Sequence, residues 1–317
     1  MDVVIGMDIG GTNSDLAIVN KTGEIIARTH LDTASYSEFE VYASEVADCA
    51  KKLAKEYKVE LKAFGIGAPN GNYYSGMIEL APNLPWKGQI DVVGIMEEKI
   101  GVPTFITNDA NAAAIGEMIF GIAGNLKNYV MITLGTGVGS GVVVNGELVY
   151  GHDGFAGEVG HIISTENGRV CGCGRKGCLE TYASVTGLRK TVFELHTNGK
   201  RSGLLSEVPF EKLTGKDIEQ AALKGDAVAL EAFELAGKEL GKVLATVAAV
   251  NSPEAFVLFG GLANAGKLIF DPIRKHMEEQ LLPIYRNKIQ LLPSGMKGNE
   301  VAILGAAALA WNEFVRI

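Results

Sequence analysis

The chain is 317 residues long, with 47% apolar and 7% aromatic residues and 29 Lys and Arg set against 37 Asp and Glu, a formal net charge of −8. That length suits about two domains, and the composition belongs to a folded globular protein rather than a disordered or fibrous one. The acidic balance, with basic pairs such as Lys51-Lys52 and Arg189-Lys190 confined to helical patterns, disfavours a nucleic-acid partner, and the lack of both an apolar run of about 18 residues and a basic, cleavable leader disfavours a membrane span or secretion.

Val3 to Met7 opens the chain as a short apolar run of strand type. It leads into Ile9-Gly-Gly-Thr-Asn-Ser-Asp-Leu-Ala-Ile-Val-Asn20 and then Gly23-Glu-Ile-Ile26, in which a glycine turn, an apolar run, an Asn/Gly turn and another apolar run read as three strands joined by tight turns. Phe39, Tyr42, Val46, Cys49, Leu53 and Tyr57 recur at helical spacing, which predicts a helix with Cys49 on its buried face. Phe64 to Ala68 and Thr104 to Thr107 read as buried strands, and Ala110 to Phe120 as a helix. The opening pattern then returns. Tyr129 to Ile132 is followed by Leu134-Gly-Thr-Gly-Val-Gly-Ser-Gly-Val-Val-Val-Asn145 and Gly146-Glu-Leu-Val149. Helices are expected at Val185 to His196, Asp226 to Val250, Ile269 to Leu281 and Ala302 to Phe314, with a strand at Ala255 to Phe259 before Gly260-Gly261. The internal repeat implies a duplicated domain, and the alternation of strands and helices implies α/β layers. A crossover near Gly121 to Asn128 divides the chain into an expected domain of residues 1–120 and a larger one of 121–303, with a closing helix at about 304–317 packing back on the first.

The glycine turns carry the first chemical signal. Asp8-Ile-Gly-Gly-Thr12 and Thr133-Leu-Gly-Thr-Gly137 occupy matching places in the two copies. A glycine turn bares backbone N–H groups that attract phosphate oxygens. One such turn is commonplace, but a matched pair suits a triphosphate, with Asp8 placed to hold Mg²⁺. No Gly-x₄-Gly-Lys-Ser/Thr run exists, so this is not a P-loop chain, and Gly172-Cys-Gly-Arg-Lys-Gly177 lies among cysteines rather than between a strand and a helix, which excludes a dinucleotide fingerprint. Asn108-Asp-Ala-Asn111 opens a helix, where Asn and Asp are favoured as caps. A carboxylate there can also take a proton from a substrate hydroxyl.

His161, Cys171, Cys173 and Cys178 form the second signal, since one imidazole and three thiolates make a closed tetrahedral Zn²⁺ set. The alternative is a disulfide with a spare thiol, or cysteines packed as small hydrophobes. The glycine-rich, polar loop argues against it, and metal-held thiols suit a reducing cytoplasm. Glu158, a turn before His161, and Glu180, just after Cys178, would be fixed by the same ion.

Asp8-Ile-Gly-Gly-Thr12, Pro82-Asn-Leu84, Asn108-Asp-Ala-Asn111, Leu134 to Gly141, Glu158-Val-Gly-His161, Cys171 to Glu180 and Gly260-Gly261 together resemble the sugar kinases of the ROK (repressor, open reading frame, kinase) family, within the actin-like, hexokinase-like ATPase superfamily. Within the family the resemblance is nearest to the bacterial glucokinases. It implies a two-domain, actin-like (ribonuclease H-like) α/β fold with a duplicated βββαβα-type core and an interdomain cleft. It implies transfer from ATP to the 6-hydroxyl of glucose, in a homodimer. Asp109 becomes the general base, and Asn83, Asn108, Asp109, Glu158, His161 and Glu180 the sugar ligands. Asp8, Gly10, Gly11, Thr12, Asn13, Gly135, Thr136 and Gly137 hold phosphates and Mg²⁺, Gly260 and Gly261 lie against adenosine, and His161 serves both zinc and sugar. An aspartate near its ordinary pKa of about 3.9 suffices as base.

Ala68-Pro-Asn-Gly-Asn72, Tyr73-Tyr74 and Pro85-Trp86 depart from the usual pattern of the family, which bears on sugar choice. N-acetylmannosamine, N-acetylglucosamine or fructose are the alternative sugars. A sugar-responsive transcription regulator is disfavoured by a first strand beginning at Val3, ahead of which there is no room for a helix-turn-helix. A filament or chaperone ATPase would leave Glu158, His161 and Glu180 unexplained.

Overall fold

The structure, a computed structural model, describes residues 1–201, 203–206, 208–296, 298 and 300–316. Ile317, the last residue of the expected closing helix, lies outside the described residues. The chain opens with β1 (Asp2–Ile9), β2 (Ser14–Val19) and β3 (Ile25–Leu31), then α1 (Phe39–Tyr57), β4 (Glu60–Gly67), the short antiparallel pair β5 (Met77–Glu79) and β6 (Gln89–Asp91), α2 (Val92–Ile100), β7 (Thr104–Thr107) and α3 (Asp109–Ile119). The series then restarts with β8 (Tyr129–Leu134), β9 (Val138–Val144) and β10 (Glu147–Leu148). Next come α4 (Glu180–Ala183), α5 (Val185–Thr197), α6 (Gly215–Leu223), α7 (Ala227–Asn251), β11 (Ala255–Phe259), α8 (Lys267–Gln280), β12 (Gln290–Pro293) and α9 (Glu300–Phe314).

Two five-stranded mixed sheets result, in the orders β3-β2-β1-β4-β7 and β10-β9-β8-β11-β12. In the first, β2 runs antiparallel to β1 and β3, while β4 and β7 continue in parallel. In the second, β10 is antiparallel to β9, and β8, β11 and β12 run parallel. The same order twice is the duplication that the repeated glycine turns announce.

The described residues group into two compact units, one of Met1–Leu126, Gly141–Ala156 and Ser294–Ile317, the other of Lys127–Ser140 and Gly157–Pro293. The first therefore takes in β10 and most of β9, which a single boundary near residue 120 would assign to the other half. The reason is local: Gly141, lacking a Cβ, lets β9 lie directly on Ala110, Asn111 and Ala114 of α3.

In the first unit β1 is buried on both faces, and its period of two divides the core. Ile5, Met7 and Ile9 pack with Phe39, Tyr42 and Val46 of α1, while Val4, Ala17, Val19 and Ala63 face Ile303, Ala307, Ala310 and Trp311 of α9. The helix α9 is alanine-rich because it touches the sheet almost backbone to backbone. A Cβ on Gly6 would strike the Ile303 carbonyl, and one on Gly65 the Ala306 carbonyl. Gly65→Ala should therefore destabilise the protein by more than the ordinary overpacking range of about 1–3 kcal/mol, because the atom it meets is main chain; a thermal melt within a degree or two of wild type would contradict this packing.

The helix α1 buries Phe39, Tyr42, Ala43, Val46, Ala47 and Ala50. Cys49 is only half-buried and Tyr57 is exposed, against the expectation from spacing, because Cys49 lies on the flank of that stripe and the last turn runs past the core. Glu117 of α3 is fully buried. Its carboxylate accepts from the N–H of Ile122 (2.8 Å), Gly295 (3.2 Å) and Met296 (3.3 Å) and from the Ser294 hydroxyl, so one side chain ties the segment after α3 to the segment before α9. Among the described residues no helix is long and apolar enough to cross a membrane.

Candidate active site and metal centre

In the first unit two carboxylates stand at the ends of parallel strands that are separated in the sheet by β4. Asp8 stands near the end of β1, and Asp109 is the first residue of α3, after β7. Asn108 is the N-cap: its Oδ1 accepts from the Asn111 N–H at 2.7 Å, and Asp109 Oδ1 accepts from the Ala110 N–H at 3.0 Å. The motif thus caps the helix through Asn108 and sets the Asp109 carboxylate beside that cap. Gly67 lets β4 approach, with the Asp109 Cα 3.9 Å from where its Cβ would be.

Asp109 is open to solvent by surface area yet set deep among protein atoms, the situation of a group at the floor of a concavity. Desolvation raises its pKa, and the N–H groups of Ala110 and of Asp109 itself only partly oppose the rise. The expectation of an ordinary value is thereby corrected: the helix N-terminus does not overcome the loss of water. Asp8 is raised from 3.8 to about 7, first by burial and then by the charges of Asp109 and Asp15. A carboxylate so disfavoured is suited to a cation, whose attraction for the ionised form would oppose both causes.

The turn after β1 packs against Asn83. Gly10 N–H donates to the Asn13 carbonyl at 3.0 Å, and a Cβ on Gly11 would strike the Asn83 carbonyl oxygen. Thr12 and Asn13 are exposed at its tip, and the Thr12 carbonyl is held by the Ala34 N–H at 3.1 Å. Asp8, Gly10, Gly11, Thr12, Asn13, Asn83, Asn108 and Asp109 thus belong to one neighbourhood of this unit.

Because Asp8 binds more protons in the folded chain than in the unfolded one, its cost to stability is absent below about pH 4 and grows as pH rises toward about 7. In metal-free solution Asp8→Asn should accordingly raise the melting temperature at about pH 8, by the equivalent of up to about 4 kcal/mol, and by less at about pH 5. No gain at the higher pH, or a larger gain at the lower, would contradict the assignment.

In the second unit the turn after β8 is built the same way. Gly135 N–H donates to the Gly137 carbonyl at 3.1 Å and Thr136 is exposed at the tip. Gly260, at φ 107°, lies against the Leu134 carbonyl, which accepts from the Leu262 N–H at 3.2 Å, and the Gly135 carbonyl accepts from the Val185 N–H at 2.9 Å. Gly135, Thr136, Gly137, Gly260 and Gly261 therefore share a neighbourhood. Glu180 joins it: its Oε2 accepts from the Val138 N–H at 3.3 Å and fills the space a Cβ on Gly137 would need.

The other oxygen of Glu180 meets the cysteine cluster, with Cys171 Sγ at 3.4 Å from Oε1. The donor atoms of His161, Cys171, Cys173 and Cys178 all lie within 4.8 Å of one another. Cys173 and Cys178 Sγ are 3.6 Å apart, and Cys171 Sγ is 3.7 Å from His161 Nδ1. A tetrahedron with Zn–S bonds of about 2.3 Å and a Zn–N bond of about 2.0–2.1 Å has edges of roughly 3.6–3.8 Å, so the donor set fits that ion. All four cysteines are free, and a separation of 3.6 Å is no disulfide. Burial pushes Cys171 up to about 12 and raises Cys178, whereas the backbone N–H and guanidinium of Arg175 bring Cys173 down to about 6.

Sequence reasoning missed Arg169. Its guanidinium donates to Glu194, Thr191 and the carbonyls of Thr181 and Gly187, and stacks 4.5 Å from the Tyr182 ring centroid, which anchors the cysteine loop to α4 and α5. Nothing in the spacing of the motif signals it, because every partner lies beyond the loop.

The ROK family profile matches residues 4–313. The chain is 36% identical over 313 residues to a glucokinase of Halalkalibacterium halodurans, covering 96% of this chain and 94% of that one. It is similar, with a TM-score of 0.79 and 32% identity over 98% of this chain and 99% of the other, to a ROK family glucokinase from Streptomyces griseus solved with glucose and AMPPNP. A ROK family transcriptional regulator, a homologue of the E. coli MLC protein, superposes with a TM-score of 0.86 and 28% identity, over 97% of this chain and 77% of the regulator.

Proposed function

This chain belongs to the ROK family, and from that premise we infer that it transfers the γ-phosphoryl group of ATP to glucose. The relatives named glucokinase and the likeness to a glucokinase holding glucose and an ATP analogue support this reading. The fold is that of the actin-like ATPases, with the duplicated sheet order described above. The single observation that carries the chemistry is Asp109, solvent-open yet desolvated at the start of α3, with its cap and first turn already engaged.

The ionised Asp109 accepts the proton of the sugar 6-hydroxyl as the oxygen attacks the γ-phosphorus. The O–H bond breaks, the O6–P bond forms, and the bond from phosphorus to the β-bridging oxygen breaks to release ADP. Desolvation makes this carboxylate a stronger base when it is ionised, at the expense of requiring a higher pH to ionise it. Asn83, Asn108, Glu158, His161 and Glu180 are proposed as hydroxyl ligands. Gly10, Gly11, Thr12, Asn13, Gly135, Thr136 and Gly137 are proposed for the phosphates, and Gly260 and Gly261 for the adenosine.

Asp8 is proposed to hold Mg²⁺, whose contribution when bound is to neutralise phosphate charge. His161, Cys171, Cys173 and Cys178 are proposed to hold a structural Zn²⁺, with Nδ1 of His161 toward the sulfurs. The protein is proposed to act in the cytoplasm as a homodimer, without a nucleic-acid partner.

A coupled ADP assay over a sugar panel tests the reading. Glucose should be turned over faster than fructose, N-acetylmannosamine and N-acetylglucosamine. Faster turnover of an N-acetylhexosamine would reassign the sugar, and ATP hydrolysis indifferent to any hexose would remove the kinase assignment.

A further inference from the structure

Ser140 sits on β9 two residues after Val138, the residue whose N–H holds Glu180, and is 5% exposed. Its hydroxyl donates to the Gly157 carbonyl and accepts from the Val159 N–H at 3.0 Å. Those two peptide groups are the ones that immediately flank Glu158. The side chain therefore brackets Glu158 from both sides, and a buried hydroxyl engaged as donor and acceptor at once has one orientation.

Two further contacts hold the same short segment. Gly160 has no Cβ because the Val138 carbonyl occupies that space, and the 3₁₀ turn Val159–His161 is closed by His161 N–H to the Glu158 carbonyl at 3.1 Å. Val138 and Ser140 project from the same face of β9. The first half of β9 thus ties Glu180 through a main-chain N–H and the peptide groups on either side of Glu158 through a side-chain hydroxyl.

We propose that Ser140 is a positioning residue for the sugar, setting the direction of the Glu158 carboxylate through the peptide groups on either side of it. This rests on the reading of Glu158 as a hydroxyl ligand. The Ser140 hydroxyl is buried and engaged by main-chain groups, so its effect passes through the affinity and discrimination that Glu158 supplies.

The test is a double-mutant cycle on the full-length, metal-loaded enzyme. Ser140→Ala should raise the glucose KM about 10-fold or more while kcat and the ATP KM stay within about 3-fold, and the increase should shrink to near nothing when Glu158→Gln is already present. In a series of deoxyglucoses, Ser140→Ala and Glu158→Gln should lose the penalty for the same missing hydroxyl. Should Ser140→Ala fold poorly, Ser140→Cys keeps the volume, weakens the hydrogen bonds and should move the glucose KM in the same direction. A glucose KM unchanged in the Ser140 variants, or raised additively with Glu158→Gln, would overturn the proposal. An unchanged glucose KM in Glu158→Gln alone would instead remove the hydroxyl-ligand reading beneath it, and the proposal with it.

Discussion

Asp109→Asn should lower kcat by about 10²–10⁴, the usual span of general-base catalysis, while glucose and ATP still bind. The amide keeps the shape and the contact with the Ala110 N–H, but it cannot accept the sugar proton. Because the Asp109 pKa is raised and its ionised form is the active one, the wild-type kcat/KM should climb as pH rises through that value, with an acid limb displaced upward from the ordinary carboxylate range. In the variant that limb should vanish. Near-normal turnover by Asp109→Asn, or a retained acid limb, would take the proton-acceptor role from this residue.

Cys173→Ser should reduce bound zinc from about one ion per chain to almost none, and the glucose KM should rise by about 10–100-fold. The reason lies in what the cluster holds. His161 Nδ1 faces Cys171, and Glu180 spans from Cys171 Sγ to the Val138 N–H of the glycine turn. Losing the ion frees an imidazole, unsettles that carboxylate and leaves the thiols of Cys171 and Cys178 without their shared partner. Metal analysis and a glucose titration check both parts, and a variant that retained one zinc and the wild-type KM would exclude Cys173 as a ligand. Removing zinc from the wild type with a chelator should reproduce the variant, and returning it should restore only the wild type.

The repeated glycine turns made both sheets legible, since each turn follows an apolar run and precedes a hairpin, and strands recur in the same order around them. The cysteine spacing likewise marked a group that the chain does bring together. Some short elements were not legible, although the four-residue β7 was read with its observed bounds. β5 and β6 have three residues each, and β12 has four with one fully buried, too few to show a period. α2 contains Gly94 and α6 opens on Gly215, which weakens their helical signal, although Asp91 and the capping box of Thr214 and Asp217 were there to be read.

The side chains that hold the site in place were hidden for a different reason. Glu117 meets partners 177 to 179 positions away, and Arg169 binds Thr181 of α4 and one face of α5 at Gly187, Thr191 and Glu194, 12 to 25 positions away. A pattern within a window of a dozen residues carries no trace of such pairs. The shift of Asp109 was also beyond reach, because desolvation depends on atoms that surround the carboxylate in space.

The tie from Glu117 to residues 294–296, with α9 completing the sheet of β1 and β4, also sets an order of assembly during synthesis. Residues 1–126 are made before residues 294–316 and lack one face of their core until those follow. The second unit, residues 127–140 and 157–293, includes nothing from beyond Pro293. The part translated second should therefore gain protease resistance earlier than the part translated first, reversing the usual vectorial sequence.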